Sequence, residues 1–314
     1  MDESIVIFDT NSYRDLVRGK TRHEISAFMD ELLLLQRNKN IISRGAVIVG
    51  MEMAAHLRKK SSKAAQECLE ALIAFGIHNH DQNGNFQVFP SARLNILHSY
   101  LNGVPIDFEE NEKNIAGVIA SIYKDTDNAL ELHEEIGTFN NIAIFMEQAE
   151  ENFGEMLNRE VEHLKTSVRE SNPGISKKIL KKKMLQEINN GSFELNMGYA
   201  FLKMLGDQRG LAFADQEYWS RAEDFNTKYP LATGFFRFII DFIVTADIDM
   251  GSKASVKKRR NWLWDFNLCF MLSSHHLSDI LLVTGDKGII EAAQYYGFGS
   301  KVMPFNNYFE FLNS

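Results

Sequence analysis

Two short runs of aliphatic and β-branched residues constrain this chain more than anything else in it. Ser4-Ile-Val-Ile-Phe8 and Asp279-Ile-Leu-Leu-Val283 stand near opposite ends of its 314 residues. Each reads as a strand buried on both faces, the pattern of a parallel sheet, because neither alternates polar with apolar residues. The first ends in Asp9-Thr-Asn-Ser, a turn and helix-cap signature, and the second leads through Thr284-Gly285 to Asp286. Adjacent parallel strands place their C-terminal ends along one sheet edge, where α/β proteins bind ligands. The economical expectation is therefore one α/β domain closed by both ends of the chain, with the acids of the two strands at a common edge.

Between those runs the period is mostly helical. Helices are expected from about Glu24 to Arg37, Val47 to Lys59 and Ser62 to Phe75, with a short strand over Asn40 to Ser43. From about Asn95 to Val244 helical period dominates, broken at Asn172-Pro173-Gly174. The α/β pattern returns with a helix over Lys257 to Ser274, the second strand, a short helix over Ile289 to Tyr296 and a last strand at Lys301 to Met303. The predicted organisation is a three-layer α/β/α domain with a mainly parallel sheet, built from residues 1–95 and 252–314, and a helical insertion over 96–251.

Cys68 and Cys269 lie in apolar helical contexts without metal-ligand spacing, so both read as reduced, buried thiols. The longest apolar stretch, Phe235 to Ala246, is broken by Arg237 and Asp241, and no charged leader precedes an apolar segment; the expectation is a soluble cytoplasmic protein. A net charge of −8 argues against a protein that coats nucleic acid, yet leaves room for a local basic patch.

Four carboxylates carry the functional expectation. Asp9 and Asp286 terminate apolar strands. Glu52 lies within Val49-Gly-Met-Glu-Met-Ala-Ala55, and Asp265 within Trp262-Leu-Trp-Asp-Phe-Asn-Leu268. Taken singly, each has a bland explanation as a helix cap, a solvated charge or a partner of a nearby base. Together, carboxylates in apolar settings at one sheet edge would repel unless cations lay between them. Oxygen donors without clustered His or Cys select Mg²⁺ or Mn²⁺, and such ions suit phosphoryl chemistry.

These residues resemble the motifs of PIN-domain nucleases. Ile5-Val-Ile-Phe-Asp9-Thr10-Asn11 is similar to that family's opening strand and first acid. Glu52 in Met51-Glu-Met-Ala54 matches its second acid and Asp265 its third. Leu281-Leu-Val-Thr284-Gly-Asp286 resembles its strand ending in Thr-x-Asp. The match covers roughly residues 1–60 and 255–314. It departs from compact members in the 213 residues between Glu52 and Asp265, with Glu67 or Glu70 as substitutes for the second acid. The resemblance implies a divalent-metal endonuclease, usually acting on RNA. Asp9, Asp265 and Asp286 would hold one or two Mg²⁺ or Mn²⁺ ions, Glu52 would bind metal or orient water, and Asn11 and Thr284 would support them. The implied partners are RNA or single-stranded DNA, with a protein partner through the insertion and a homodimer as further readings.

Two basic runs bear on such a substrate. Lys257, Lys258, Arg259 and Arg260, with Lys253 before them, precede Asp265 and could contact phosphates; Lys177 to Lys183 reads as a solvated face. His78 and His80 flank the Asp81-Gln-Asn-Gly-Asn85 loop and, lacking a third ligand, read as surface residues. His275-His276 reads as a helix C-terminal cap, and the aromatic series from Tyr218 to Phe238 as core. Two other classes compete: a haloacid-dehalogenase-like phosphatase, disfavoured because Asn11 stands where that family wants a second aspartate, and a non-catalytic PIN-like scaffold.

Overall fold

The computed structural model describes residues 3–59, 62–81, 85–89, 91–92, 96, 99–101, 106–207, 209–250, 252, 261–273 and 279–314. The basic residues Lys253 and Lys257 to Arg260, and His275-His276, lie outside them. The chain divides into two compact units: Met1–Met146 with Phe270–Ser314, and Glu147–Cys269. Helices dominate both, and the described strands all fall in the first.

In the first unit, strands β1 (Ser4–Phe8), β2 (Ile41–Ser43), β5 (Asp279–Val283) and β6 (Val302–Met303) form a parallel sheet in the order β2-β1-β5-β6. A second, two-stranded parallel sheet joins β3 (Gly45–Ala46) to β4 (Val88–Phe89), elements too short to show a sequence pattern. The two terminal runs are therefore direct neighbours, Ser4 pairing with Asp279 and Phe8 with Val283. Ile5 to Phe8 and Ile280 to Val283 are buried, as runs covered on both faces must be. The chain moves outward from β1 to β2 on one side and from β5 to β6 on the other. The order thus reverses between β1 and β5, and the crevice of an open α/β sheet lies at such a reversal.

The helices of this unit follow local signals. Helix α1 (Thr10–Val17) starts on the Asp9 cap; α2 (Arg22–Asn38) starts on a capping box of Thr21 and Glu24. Asn40, at φ 57°, takes the left-handed turn into β2, which asparagine tolerates. After β3 come α3 (Val47–His56), a 3₁₀ turn (Leu57–Lys59) and α4 (Lys63–His78), then α5 (Ile106–Lys124), α6 (Thr126–Glu135) and the start of α7 (Thr138–Ser171). Helix α5 beds on α3 and α4 through glycine notches. A Cβ on Gly50 would collide with Ile119, and one on Gly76 would lie 2.5 Å from Tyr123 Cβ. This is why residues 96–146, assigned from sequence to the insertion, group with the sheet, so that the second unit starts at Glu147 and runs to Cys269. The last elements are α13 (Lys287–Tyr295) and α14 (Phe305–Asn313).

The second unit holds the rest of α7, then α8 (Lys177–Ile188), α9 (Phe193–Asp207), α10 (Asp215–Lys228), α11 (Pro230–Thr245) and most of α12 (Trp262–Ser273). Its core is aromatic. Phe236 and Phe266 pack with ring centroids 4.5 Å apart, and Phe201 meets both at 5.2 and 5.0 Å. Tyr218, Phe225, Tyr229 and Phe235 are also buried, while Trp219 stacks on Tyr199 at the surface. Lys177 pairs with Asp247 at 2.5 Å on an exposed face. No helix among the described residues is long and apolar enough to cross a membrane. Cys68 and Cys269 are free and buried, and burial pushes the Cys68 thiol up to about 11.

His78 is a correction to the sequence reading: it is fully buried. It sits one turn beyond Phe75 on the inner face of α4, and its ring packs edge-on against Phe8 at 4.6 Å. His80 is half-buried, its Nδ1 against the Gly76 carbonyl at 2.5 Å. A hydrogen-bonded chain crosses the core here. Asn79 Nδ2 donates to Tyr13 Oη (2.9 Å), which meets His78 Nδ1 (2.8 Å); His78 Nε2 lies 3.1 Å from Gln36 Oε1, and Gln36 Nε2 donates to Tyr308 Oη (3.0 Å). A neutral imidazole has one donor and one acceptor nitrogen, which this chain uses with Tyr13 donating and Gln36 accepting. Burial holds the imidazole pKa down to about 3. Above pH 6.5 both folded and unfolded forms carry a neutral His78. Below it the unfolded chain binds a proton that the folded chain refuses until about pH 3, so stability falls with pH across that window. We expect this group to cost roughly 3 kcal/mol between pH 7 and pH 4. Urea midpoints of wild type and His78→Gln should converge as pH falls; parallel curves would show that His78 does not carry the effect.

Candidate functional site

The edge formed by the ends of β1 and β5 is built by backbone first. Asp9 N–H donates to the Val283 carbonyl at 3.0 Å, and Thr284 N–H to the Met303 carbonyl at 3.0 Å, so the strands stay in register up to their terminal residues. Each then passes straight into a helix capped by its own aspartate. Asp9 Oδ1 accepts from Ser12 N–H at 2.6 Å at the start of α1, and Asp286 Oδ1 from Ile289 N–H at 3.0 Å at the start of α13. The two helix starts thus present two acids side by side.

Thr284 ties them together. Its hydroxyl donates to Asp9 Oδ2 at 2.5 Å and accepts from Asp286 N–H at 3.0 Å. Ser12 Oγ adds a bond to the Val283 carbonyl at 2.9 Å, locking α1 to β5. Asp9 is 4% exposed and Asp286 half-buried. Burial pushes the Asp9 carboxyl above the usual carboxylate range. The bonds from Ser12 and Thr284 pull it back, and the negative charge of Asp286 pushes it up again.

Glu52 joins from the middle of α3. Thr10 Oγ1, at the first position of α1, donates to Glu52 Oε2 at 2.5 Å. The chain neighbour of Asp9 therefore anchors the third acid of the first unit. Glu67 and Glu70, the substitutes from sequence, are engaged elsewhere: Glu67 lies 3.4 Å from Arg14 and from Arg18, and Glu70 3.2 Å from Arg22. Asn11 is exposed, and its two neighbours Thr10 and Ser12 make the bonds that hold the acids. Sequence reasoning passed over those two because small hydroxyls after a strand read as generic capping.

Asp265 belongs to the second unit, in the first turn of α12. It is half-buried between two core residues, Trp264, whose Nε1 donates to Glu150 at 2.8 Å, and Phe266. The sheet edge therefore gathers Asp9, Asp286 and, through Thr10, Glu52, whereas Asp265 is placed within its own unit. Among the described residues no group of three or more His, Cys, Asp or Glu side chains is arranged to hold a metal ion. The donor set at the edge is a carboxylate pair with hydroxyl support. Each carboxylate oxygen has two lone pairs, so the single bonds that Asp9 Oδ1 and Oδ2 accept leave one apiece. Mg²⁺ binds through as few as one or two carboxylates, completing its shell with water and phosphate oxygens, and this pair fits such an ion.

No family model, no curated protein and no solved structure matches the chain.

Because one hydroxyl serves both acids, Thr284→Val should cost about 1–3 kcal/mol by leaving a buried carboxylate oxygen and the Asp286 N–H unpaired. The loss should be larger at pH 8 than at pH 4, because the charged form of Asp9 depends on the hydroxyl more than the neutral acid does. Urea denaturation at the two pH values measures it; a change under about 0.5 kcal/mol at both would refute the bridge.

Proposed function

We propose that this protein is a divalent-metal-dependent endonuclease of the PIN type, and that its sheet is the centre of a three-layer α/β/α domain. One observation carries the reading. Two aspartates from strands at distant points of the sequence stand at the reversal of strand order, bridged by Thr284, and one of them is almost wholly withdrawn from water. Such a pair is electrostatically unfavourable by itself, and a cation is its natural complement.

Asp9 and Asp286 would hold Mg²⁺ or Mn²⁺, with Glu52 as the further acid of the same unit. When bound, the ion supplies Lewis acidity toward a phosphodiester and acidifies water. The chain's own residues do the rest. Thr284 and Ser12 fix the rotamer of Asp9 before substrate arrives. Thr10 fixes the carboxylate of Glu52, which is thereby poised to orient a water molecule. The buried Tyr13–His78–Gln36 chain holds α1, α2 and α4 in mutual position beneath that edge. The product would carry a 5′-phosphate and a 3′-hydroxyl. The substrate proposed is RNA, with single-stranded DNA as the second candidate. A purely non-catalytic scaffold would use the same surface for a partner and would need no ion.

The test uses the full chain with single-stranded RNA in Mn²⁺ or Mg²⁺. Wild type should cleave, EDTA should stop it, and Asp9→Asn or Asp286→Asn should lower the rate by roughly 10² or more with the fold intact by circular dichroism. Mn²⁺ should raise the melting temperature of wild type and not of Asp286→Asn. Cleavage that survives Asp286→Asn, or that needs no divalent ion, would overturn the proposal.

A further inference from the structure

The helices that carry Thr10 and Glu52 run on together past the site. From their contact, α1 and α3 each advance one turn, about 6 Å, to the next residue on the same face: Thr10 to Arg14, and Glu52 to His56. The chain then tightens into the 3₁₀ turn Leu57–Lys59, which buries Leu57 and leaves Arg58 and Lys59 exposed. Three cations, Arg14, Arg58 and Lys59, thus lie within electrostatic reach of the exposed His56. Their field, with partial burial as the larger cause, lowers the pKa of His56.

From this geometry we infer that Arg14, His56, Arg58 and Lys59 form a phosphate-binding rim that holds a single-stranded nucleic acid beside the Asp9–Glu52 edge.

The inference deepens the nuclease reading and rests on it for the identity of the strand. Three points favour a phosphodiester backbone. First, the cations come from two elements, α1 and the turn after α3, and converge on one imidazole, which is unlike the single-helix lysine face of α8. Second, Arg14 is only partly matched. Its Nε is buried without a hydrogen bond, although Glu67 Oε1 lies 3.4 Å away, and that oxygen is shared with Arg18. The Arg14 side chain keeps 29% exposure, so its guanidinium can meet an anionic oxygen from solvent. Third, the rim is one helical turn from the Thr10–Glu52 bond, about the step between neighbouring phosphates on an extended strand. A phosphate at the acids would put the next one against the cations.

The experiment separates rim from chemistry. Binding is read by fluorescence anisotropy of a short fluorescein-labelled oligouridylate in EDTA, across a salt series, so that no cleavage intervenes. The doubly substituted R58A/K59A, both sites being exposed, should bind about tenfold more weakly and lower the slope of log K against log salt by about 1 to 2. The double variant K178A/K182A, which removes the same charge from α8, should match wild type. Affinity of R58A/K59A within twofold of wild type would overturn the rim. So would an equal loss in the α8 control, or absence of binding by wild type itself. Cleavage in Mn²⁺ is scored on the same proteins. A rim variant that binds normally while Asp286→Asn no longer cleaves removes the rim and keeps the nuclease; a rim variant that loses binding while wild type never cleaves does the reverse.

Discussion

The pairing of β1 with β5 governs everything else in the first unit. Five residues from each strand lie in parallel register, and that alone places Asp9 beside Thr284 and within the field of Asp286. The apolar character of both strands makes the arrangement stable, since burying eight aliphatic and aromatic side chains in a small sheet is worth on the order of 10 kcal/mol before chain entropy is counted. The same burial makes the site electrically awkward. A carboxylate at the end of such a strand loses water, and the hydrogen bonds of Ser12 and Thr284 compensate within the protein. Stability and reactivity therefore draw on one feature: the apolar packing that builds the sheet leaves an acid seeking positive charge.

The buried polar chain beneath this edge fixes orientation rather than adding much energy. Tyr13, His78, Gln36 and Tyr308 come from four different helices, and each hydrogen bond sets the rotation of one helix relative to the next. An all-apolar core would permit small slips of α1. With Tyr13 held at its hydroxyl, a slip would strand a buried donor, at a cost of about 1–3 kcal/mol. Since Thr10 and Arg14 ride on the same helix, the chain keeps their spacing from α3 constant.

Much of this architecture could be read from residue order, for definite reasons. Uninterrupted apolar runs such as Ile5–Phe8 and Ile280–Val283 have few alternatives to a buried strand, so β1 and β5 declared themselves, and the acids after them followed. Helices α2, α3 and α4 were legible to within about a turn of their bounds. Other parts were hidden. Strands β3 and β4 have two residues each and no period. His78 and Gln36 look like polar interruptions until they are placed on the inner faces of α4 and α2, where Gln36 continues the stripe of Met29 and Leu32. The signal that α5 packs on α3 and α4 lay in Gly50 and Gly76, glycines within helices, where they cost up to about 1 kcal/mol each unless something packs close. Asn11 drew attention through its motif position, yet the bonds to the acids come from Thr10 and Ser12.

The neighbourhood of β1 and β5 also has a temporal side. While the polypeptide is being made, β1 has only β2 to pair with until Asp279–Val283 has left the ribosome, because the contact spans nearly the whole intervening chain. Closing so long a loop is slow, and it comes last. Helices α1 to α4 can gather early, but the edge bearing Asp9 stays open and lacks Thr284 and Asp286. An unfinished or truncated chain thus cannot assemble the site, so whatever chemistry the completed fold performs is withheld from its own synthesis.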